Sequence, residues 1–111
     1  MAKSDYPDWE IYKRDRCTCQ YCGMSGIQDF NLWRHLSIDH VVPVSSGGPD
    51  TDDNKVVCCR RCNELLGGAV PEGKTSSQRM AWKRQRVRER NALKYADHQQ
   101  MVIELIPAAL S

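Results

Sequence analysis

The chain has 111 residues, a formal net charge of +2 and six cysteines, but only one phenylalanine. A chain of this length makes one small domain whose apolar core is only marginally stabilising by itself. No apolar run approaches the roughly 20 residues needed to cross a bilayer, and the polar opening MAKSDYPDWE lacks the apolar stretch of a secretory signal. These features argue against a membrane protein and favour the cytoplasm, where paired cysteines bind metal rather than form disulfides.

The charge is distributed unevenly along the chain. Residues 1–73 hold eight Lys and Arg against eleven Asp and Glu, whereas residues 74–111 hold eight against three. We therefore divide the chain into a domain of residues 1–73 and a basic C-terminal extension of residues 74–111. A basic segment of this kind suits a position near phosphates, although a solvated helix face remains the alternative.

Short elements are predicted in the first domain. A helix is expected over residues 7–15, a strand over residues 36–42 and a second strand over residues 55–58, where β-branched residues are frequent. Residues 45–50 have the composition of a turn. A short helix is predicted over residues 59–66, because two glycines follow it.

A long helix is predicted in the extension. Thr75 and Gln78 have the spacing of a capping box, and the pattern favours a helix over residues 76–97. Its apolar positions form a thin stripe, so we expect it to lie over a partner surface rather than within the core. The apolar tail of residues 101–110 is expected to fold back onto the domain.

Two cysteine pairs with two intervening residues are the strongest signal for a metal site. Cys19 and Cys22 form one pair, and Cys59 and Cys62 form the other. This spacing lets both sulfurs of a pair reach one tetrahedral ion from a tight turn, so we predict a structural zinc ion. Unligated thiols or a redox pair are the alternative. The sequence gives no role to the two remaining cysteines, Cys17 and Cys58.

Polar residues between and beside the cysteine pairs form a second pattern, which zinc binding does not require. The order, spacing and chemistry of the segment over residues 9–68 resemble the HNH endonuclease family. The residues that carry the resemblance are Arg14, Asp15, Cys19, Cys22 and Gly23, then Ile38 to Ser45 with Gly47 and Gly48, then Asp53, Asn54, Val56 to Cys59, Cys62 and Asn63. The resemblance implies an α+β fold: a zinc-stapled ββα-metal core, similar to a treble clef, with an N-terminal helix and a long basic C-terminal helix.

The resemblance also implies a role for each polar residue. His40 would be the general base, since an imidazole is available in its neutral form near neutral pH. Asp39 and Asn63 would complete the catalytic set as ligands of a catalytic Mg²⁺ or Mn²⁺ ion. Asn54 would bond backbone across the connecting loop and hold the strand that carries His40.

The sequence departs from the family in two places. Asn63 stands where a histidine is frequent, and no lysine precedes the glycine that closes the motif at Gly67. The missing phosphate contact is expected from other basic residues. The candidates for DNA binding are Lys55, Arg60, Arg61, Arg79, Lys83, Arg84, Arg86 and Arg90.

The sequence thus predicts a metal-dependent HNH endonuclease that binds double-stranded DNA through its phosphates and nicks one strand per active site. The products implied by the resemblance carry a 5′ phosphate and a 3′ hydroxyl, and a bacterial or phage origin fits. A homodimer would be needed for direct double-strand cleavage. Two alternatives remain open: a zinc-binding nucleic-acid adaptor without catalysis, and a nuclease subunit of a phage or restriction assembly.

Overall fold

The computed structural model describes the backbone of residues 5–110 and the side chains of residues 5–107. Within this span, the helices and strands in chain order are α1 (Trp9–Arg14), α2 (Phe30–Trp33), β1 (Leu36–His40), β2 (Lys55–Cys59), α3 (Arg60–Leu66) and α4 (Ser76–Leu110). Two short 3₁₀ turns, Val44–Ser46 and Asp52–Asn54, lie in the loop between the strands. The predicted α+β fold with a long C-terminal helix is confirmed.

β1 and β2 form a two-stranded antiparallel hairpin. Leu36 lies opposite Cys59 at one end of the hairpin, and His40 lies opposite Lys55 at the other. Successive side chains of a strand point to opposite faces. The register therefore assigns each polar residue of β1 both to one end and to one face of the hairpin.

One face of the hairpin packs against α1. Ile11 and Tyr12 of α1 are buried with Val57, and Ile38 packs against the same cluster. The side chain of Asp15, directly after α1, accepts a hydrogen bond of 2.9 Å from the amide of Val57. This contact occupies a backbone donor on the edge of β2 that β1 does not pair, and so ties α1 to the sheet.

The opposite face packs against α3 and α4. A core cluster includes Cys58 of β2, Leu65 and Leu66 of α3, and Val87 of α4, with Met80 packed at its border. The side chain of Arg84 in α4 also donates a hydrogen bond of 2.8 Å to the carbonyl of Gln20. The first half of α4 is therefore part of the folded body.

The start of α4 follows the predicted capping box. The amide of Gln78 donates to Oγ1 of Thr75 at 3.1 Å, and Oε1 of Gln78 accepts from the amides of Lys74 and Thr75 at 2.8 and 3.3 Å. These bonds satisfy backbone donors that have no partner within the first turn of a helix.

Three expectations for the extension are wrong. The helix does not end at residue 97 but continues to Leu110, because no glycine or proline interrupts residues 76–106 and Pro107 lies only in its last turn. The tail does not fold back: Met101, Ile103 and Leu105 are exposed. The first half of α4 does not lie over a partner surface, since Met80 and Val87 pack on the core.

The short helix α2 was not predicted, although Asp29 caps it by accepting a 3.0 Å hydrogen bond from the amide of Leu32. Among the residues with described structure, no helix is both long enough and apolar enough to cross a membrane.

Candidate functional site

The four predicted zinc ligands come together at the end of the hairpin where Leu36 faces Cys59. The sulfurs of Cys19, Cys22, Cys59 and Cys62 all lie within 4.8 Å of one another. The sulfurs of Cys22 and Cys59, which come from different pairs, are 3.7 Å apart. The predicted clustering of these cysteines is confirmed.

Local backbone geometry presents each pair of sulfurs. Gly23 adopts a left-handed conformation with φ of 82°, and its amide donates to the carbonyl of Cys19 at 2.9 Å, which closes the first turn. In the second pair, Cys59 precedes α3 and its sulfur accepts a 3.4 Å hydrogen bond from the amide of Cys62. Each pair thus aims two sulfurs at one point, as a tetrahedral ion requires.

Burial makes this cluster unfavourable for four bare thiolates. Hydrogen bonds from Cys58 and Cys62 hold the pKa of Cys19 well below its ordinary value. In contrast, the hydrogen bond with Cys19, followed by burial, raises the pKa of Cys62, and burial raises the pKa of Cys59. A cation that binds all four sulfurs removes this conflict, and tetrahedral thiolate coordination is typical of structural zinc.

The two remaining cysteines lie outside this set of four. Cys58 is fully buried beside it, and its thiol donates to the carbonyl of Cys59 at 3.3 Å. Its hydrogen bond with Cys19 raises the pKa of Cys58, so this thiol stays protonated. Cys17 packs near α1 in the other core cluster. Neither is needed to complete the metal site.

His40 lies at the opposite end of the hairpin from the cysteines, and its side chain is 30% exposed. Its Nε2 is 2.8 Å from Oδ1 of Asp50, a residue of the loop between the strands. The hydrogen bonds with His40 and then Lys55 lower the pKa of Asp50, which is therefore ionised at neutral pH. An ionised carboxylate only accepts, so Nε2 carries the proton and Nδ1 of the neutral ring is left as a base.

Lys55 extends this arrangement on the same face. Its ammonium lies 3.2 Å from Asp50 and 3.3 Å from Asp8. Lys55 lies opposite His40 in the hairpin. Its ion pair with Asp50 therefore holds the loop next to the imidazole. The ammonium of Lys55, expected to contact DNA, is thus already paired with two carboxylates.

The Asp39 side chain lies on the other face of β1. Its Oδ2 accepts a hydrogen bond of 2.5 Å from the hydroxyl of Tyr21 and one of 2.7 Å from the ammonium of Lys83 in α4. Lys83 is only 2% exposed. The prediction that Lys83 contacts DNA is therefore wrong, because its ammonium is buried and paired with Asp39. Burial, then the charge of Asp39, raises the pKa of Tyr21, so the phenol remains a donor.

Asn54 is buried in the loop that follows His40. Its side-chain amide donates to the carbonyls of Val42 and Pro49 at 2.9 and 2.8 Å, and its Oδ1 accepts from the amide of Val42 at 3.0 Å. The backbone carbonyl of Asn54 accepts from Val41 at 2.8 Å. These bonds join the two ends of the loop and fix the backbone directly after His40.

Asn63 lies on α3 and is exposed. Among the described residues its side chain makes no hydrogen bond, and Oδ1 of Asp39 likewise receives none. A free carboxylate oxygen and a free amide oxygen are the donor types that Mg²⁺ and Mn²⁺ prefer. The residues named for the catalytic ion therefore have suitable oxygens available.

The other basic candidates differ in exposure. Arg60 is 74% exposed and is 3.3 Å from Glu64, whereas the guanidinium of Arg86 stacks on the ring of Trp82. Arg79 and Arg84, together with Arg14, line a cleft of about 330 Å³ beside the loop that Asn54 holds. Arg61 and Arg90 are exposed.

Sequence reasoning missed two residues at this site. Tyr21 lies between two zinc ligands in sequence, and nothing in that motif points to Asp39. Asp50 was interpreted as a turn former, but it contacts His40. Its place opposite the base depends on the path of the whole loop, so no local pattern could have revealed it.

Comparison with known proteins supports the resemblance to HNH endonucleases. Residues 19–67 match the model of the HNH endonuclease family. The chain is 37% identical over 59 residues to the type IV methyl-directed restriction enzyme EcoKMcrA of Escherichia coli K12, covering 50% of this chain and 21% of that protein. It is 33% identical over 67 residues to a CRISPR-associated endonuclease Cas9 of Corynebacterium diphtheriae, covering 60% of this chain and 6% of that protein.

The chain therefore spans only a small part of each of these relatives. No solved structure matches significantly. The matched segment includes the four clustered cysteines, both residues of the Asp39 and His40 pair, Asn54 and Asn63. The match to the HNH endonuclease family therefore takes in both the cysteine cluster and the polar set of this chain.

Proposed function

We propose that this protein is a metal-dependent endonuclease that hydrolyses phosphodiester bonds of DNA in the cytoplasm. The observation that carries the proposal is the contact between His40 and the ionised carboxylate of Asp50. This contact fixes the tautomer in which Nδ1 is free to take a proton from an attacking water molecule. His40 is the catalytic base in this proposal.

Asp39 and Asn63 would hold the catalytic Mg²⁺ or Mn²⁺ ion. When bound, this ion stabilises negative charge on the phosphate and on the leaving 3′ oxygen, so that a 5′ phosphate and a 3′ hydroxyl result. Asn54 positions the backbone that follows the base. The four cysteines would hold a structural zinc ion, and four thiolate ligands leave no coordination position for substrate.

The register of β1 supports separate roles for Asp39 as a metal ligand and His40 as the base. Asp39 and His40 are neighbours in sequence, but their side chains contact opposite faces of the hairpin: Asp39 meets Lys83 of α4, whereas His40 meets Asp50. In an in-line displacement, the attacking and leaving oxygens lie on opposite sides of the phosphorus atom. A base and a metal-binding carboxylate that diverge in this way suit the two sides of one phosphate.

The exposed and half-buried arginines suit the DNA backbone. Arginines on α3, on α4 and in the cleft bind phosphates without reading bases, so we expect binding that weakens steeply with salt. The residues that remain available for this role are Arg60, Arg61, Arg79, Arg84, Arg86 and Arg90. One active centre per chain nicks one strand at each binding event.

A plasmid assay with His40→Ala tests the proposal. Zinc-loaded protein is mixed with supercoiled plasmid and Mg²⁺ or Mn²⁺, and DNA binding is measured in parallel. General base catalysis contributes at least about 100-fold, so we expect His40→Ala to lose cleavage by that factor and keep DNA affinity. His35→Ala, which removes an exposed histidine of the same hairpin region, is the matched control.

Each result has a distinct meaning. Metal-dependent open circles, absent with His40→Ala, support the nicking enzyme. Linear product formed directly points to paired active centres, as in a homodimer. DNA binding without cleavage under either metal favours the non-catalytic adaptor.

A nuclease subunit of a larger assembly is the second candidate. The observation that favours it is the exposed apolar surface in the second half of α4, which includes Met101, Ile103 and Leu105. Exposed apolar groups of this kind mark interaction surfaces. Truncation after Asp97 is expected to leave intrinsic cleavage intact and to remove association with partners, as measured by sedimentation of the full and truncated chains.

A further inference from the structure

The Asp39 carboxylate is held by only one of its two oxygens. Oδ2 accepts both the 2.5 Å hydrogen bond from Tyr21 and the 2.7 Å bond from Lys83. Within the described part of the chain, Oδ1 accepts none. A carboxylate that is anchored through one oxygen presents the other in a fixed direction. Rotation of the Asp39 side chain would break both hydrogen bonds at once.

Lys83 is itself rigidly placed. Besides Asp39, its ammonium donates to the carbonyl of Val41 at 3.0 Å and lies 3.4 Å from that of His40. It also lies 5.1 Å from the centre of the Tyr21 ring. An ammonium has three donors, and all three have acceptors here. Lys83 thus fixes the carboxylate and the end of β1 relative to each other.

We propose that Tyr21 and Lys83 are positioning residues that hold Asp39 with its free oxygen directed at the catalytic cation. This proposal rests on the proposed function, in which Asp39 binds that ion. It makes α4 part of the active centre, since Lys83 reaches Asp39 across 44 positions of sequence. Hydrogen-bond partners of metal-binding carboxylates typically change metal affinity or activity 10-fold to 100-fold when they are removed.

Tyr21→Phe is the decisive variant, because it removes one hydroxyl and no charge. We expect the dissociation constant for Mn²⁺ to rise about tenfold, as measured by electron paramagnetic resonance on the zinc-loaded full chain without DNA. Tyr12→Phe is the matched control: Tyr12 is also buried but packs with α1 on the other face of the hairpin. We expect it to bind Mn²⁺ like the unchanged protein.

Lys83→Met removes the second anchor and is compared with Lys94→Met, which alters an exposed lysine of the same helix. We expect weaker Mn²⁺ binding for Lys83→Met only. An ammonium also repels a divalent cation, so tighter binding by Lys83→Met would show that Lys83 competes with the ion and would overturn the proposal. If Lys83→Met does not fold, Tyr21→Phe alone decides.

The outcomes separate this proposal from the proposed function. If the unchanged protein binds Mn²⁺ and Tyr21→Phe binds it equally well, the positioning role is wrong while the metal role stands. If the unchanged protein binds no Mn²⁺ at millimolar concentrations, the metal role of Asp39 is overturned, and the positioning role with it. Weaker binding by Tyr21→Phe, with an unchanged melting temperature, supports positioning.

Discussion

The two ends of the hairpin carry two polar groups of opposite character. At one end, four sulfurs lie within 4.8 Å of one another, and three of the four cysteines are almost fully buried. At the other end, His40 is partly exposed and forms a hydrogen bond with the carboxylate of Asp50 in the loop. The cysteine site would be closed by one bound ion, whereas His40 keeps one ring nitrogen, Nδ1, as a free acceptor. We infer that the first stabilises the fold and the second is available for chemistry.

The largest effect is expected from loss of a cysteine ligand. Cys59→Ser should remove the zinc ion and the cooperative unfolding transition, because structural zinc contributes on the order of 10 kcal/mol in small domains. Zinc content and thermal unfolding by circular dichroism measure this. Cys17→Ser, outside the set of four, should keep both. Full zinc content with an unchanged melting temperature in Cys59→Ser would contradict the inference that the cysteine site stabilises the fold.

Asn54→Ala should affect both stability and activity, since it lies in the loop that serves the open site but is itself buried. Only 7% of Asn54 is exposed, and its amide bonds Val42 and Pro49. Buried backbone groups without partners cost about 1–3 kcal/mol each, so we expect at least about 2 kcal/mol of destabilisation. Chemical denaturation measures it. Loss of cleavage at unchanged stability would instead indicate direct contact with substrate.

Asp50→Asn should lower activity but not stability. Asp50 is exposed and its carboxylate orients His40, so its replacement loosens the imidazole without opening the core. We expect about a tenfold fall in kcat, below the effect of losing the base itself. Asp53→Asn changes another carboxylate of the same loop and serves as the control. Equal activity in both variants would mean that Asp50 does not set the tautomer.

The smallest effect is expected from charges outside both sites. Arg90→Ala, on the exposed surface of α4, should weaken DNA binding a few-fold and reduce the slope of log affinity against log salt by about 0.9 if one phosphate contact is lost. Cleavage at saturating protein should not change. An unaltered slope would remove Arg90 from the DNA-contacting surface.

Sequence alone determined the features that depend on neighbours in the chain. The cysteine spacing predicted the cluster, Thr75 and Gln78 predicted the start of α4, and the order of the polar residues predicted the HNH domain. Each of these signals extends over a few residues or over a fixed series of motifs, and backbone geometry translates it directly into structure.

Only the tertiary structure decided which distant side chains meet. Lys83 was predicted to contact DNA because it belongs to a basic stretch of the sequence. It lies instead on the same face of α4 as Met80 and Val87, and packing of that face brings it to Asp39. Asp50 reaches His40 because the loop held by Asn54 returns beside β1. Such contacts depend on how whole elements pack, and no local pattern of residue types specifies them.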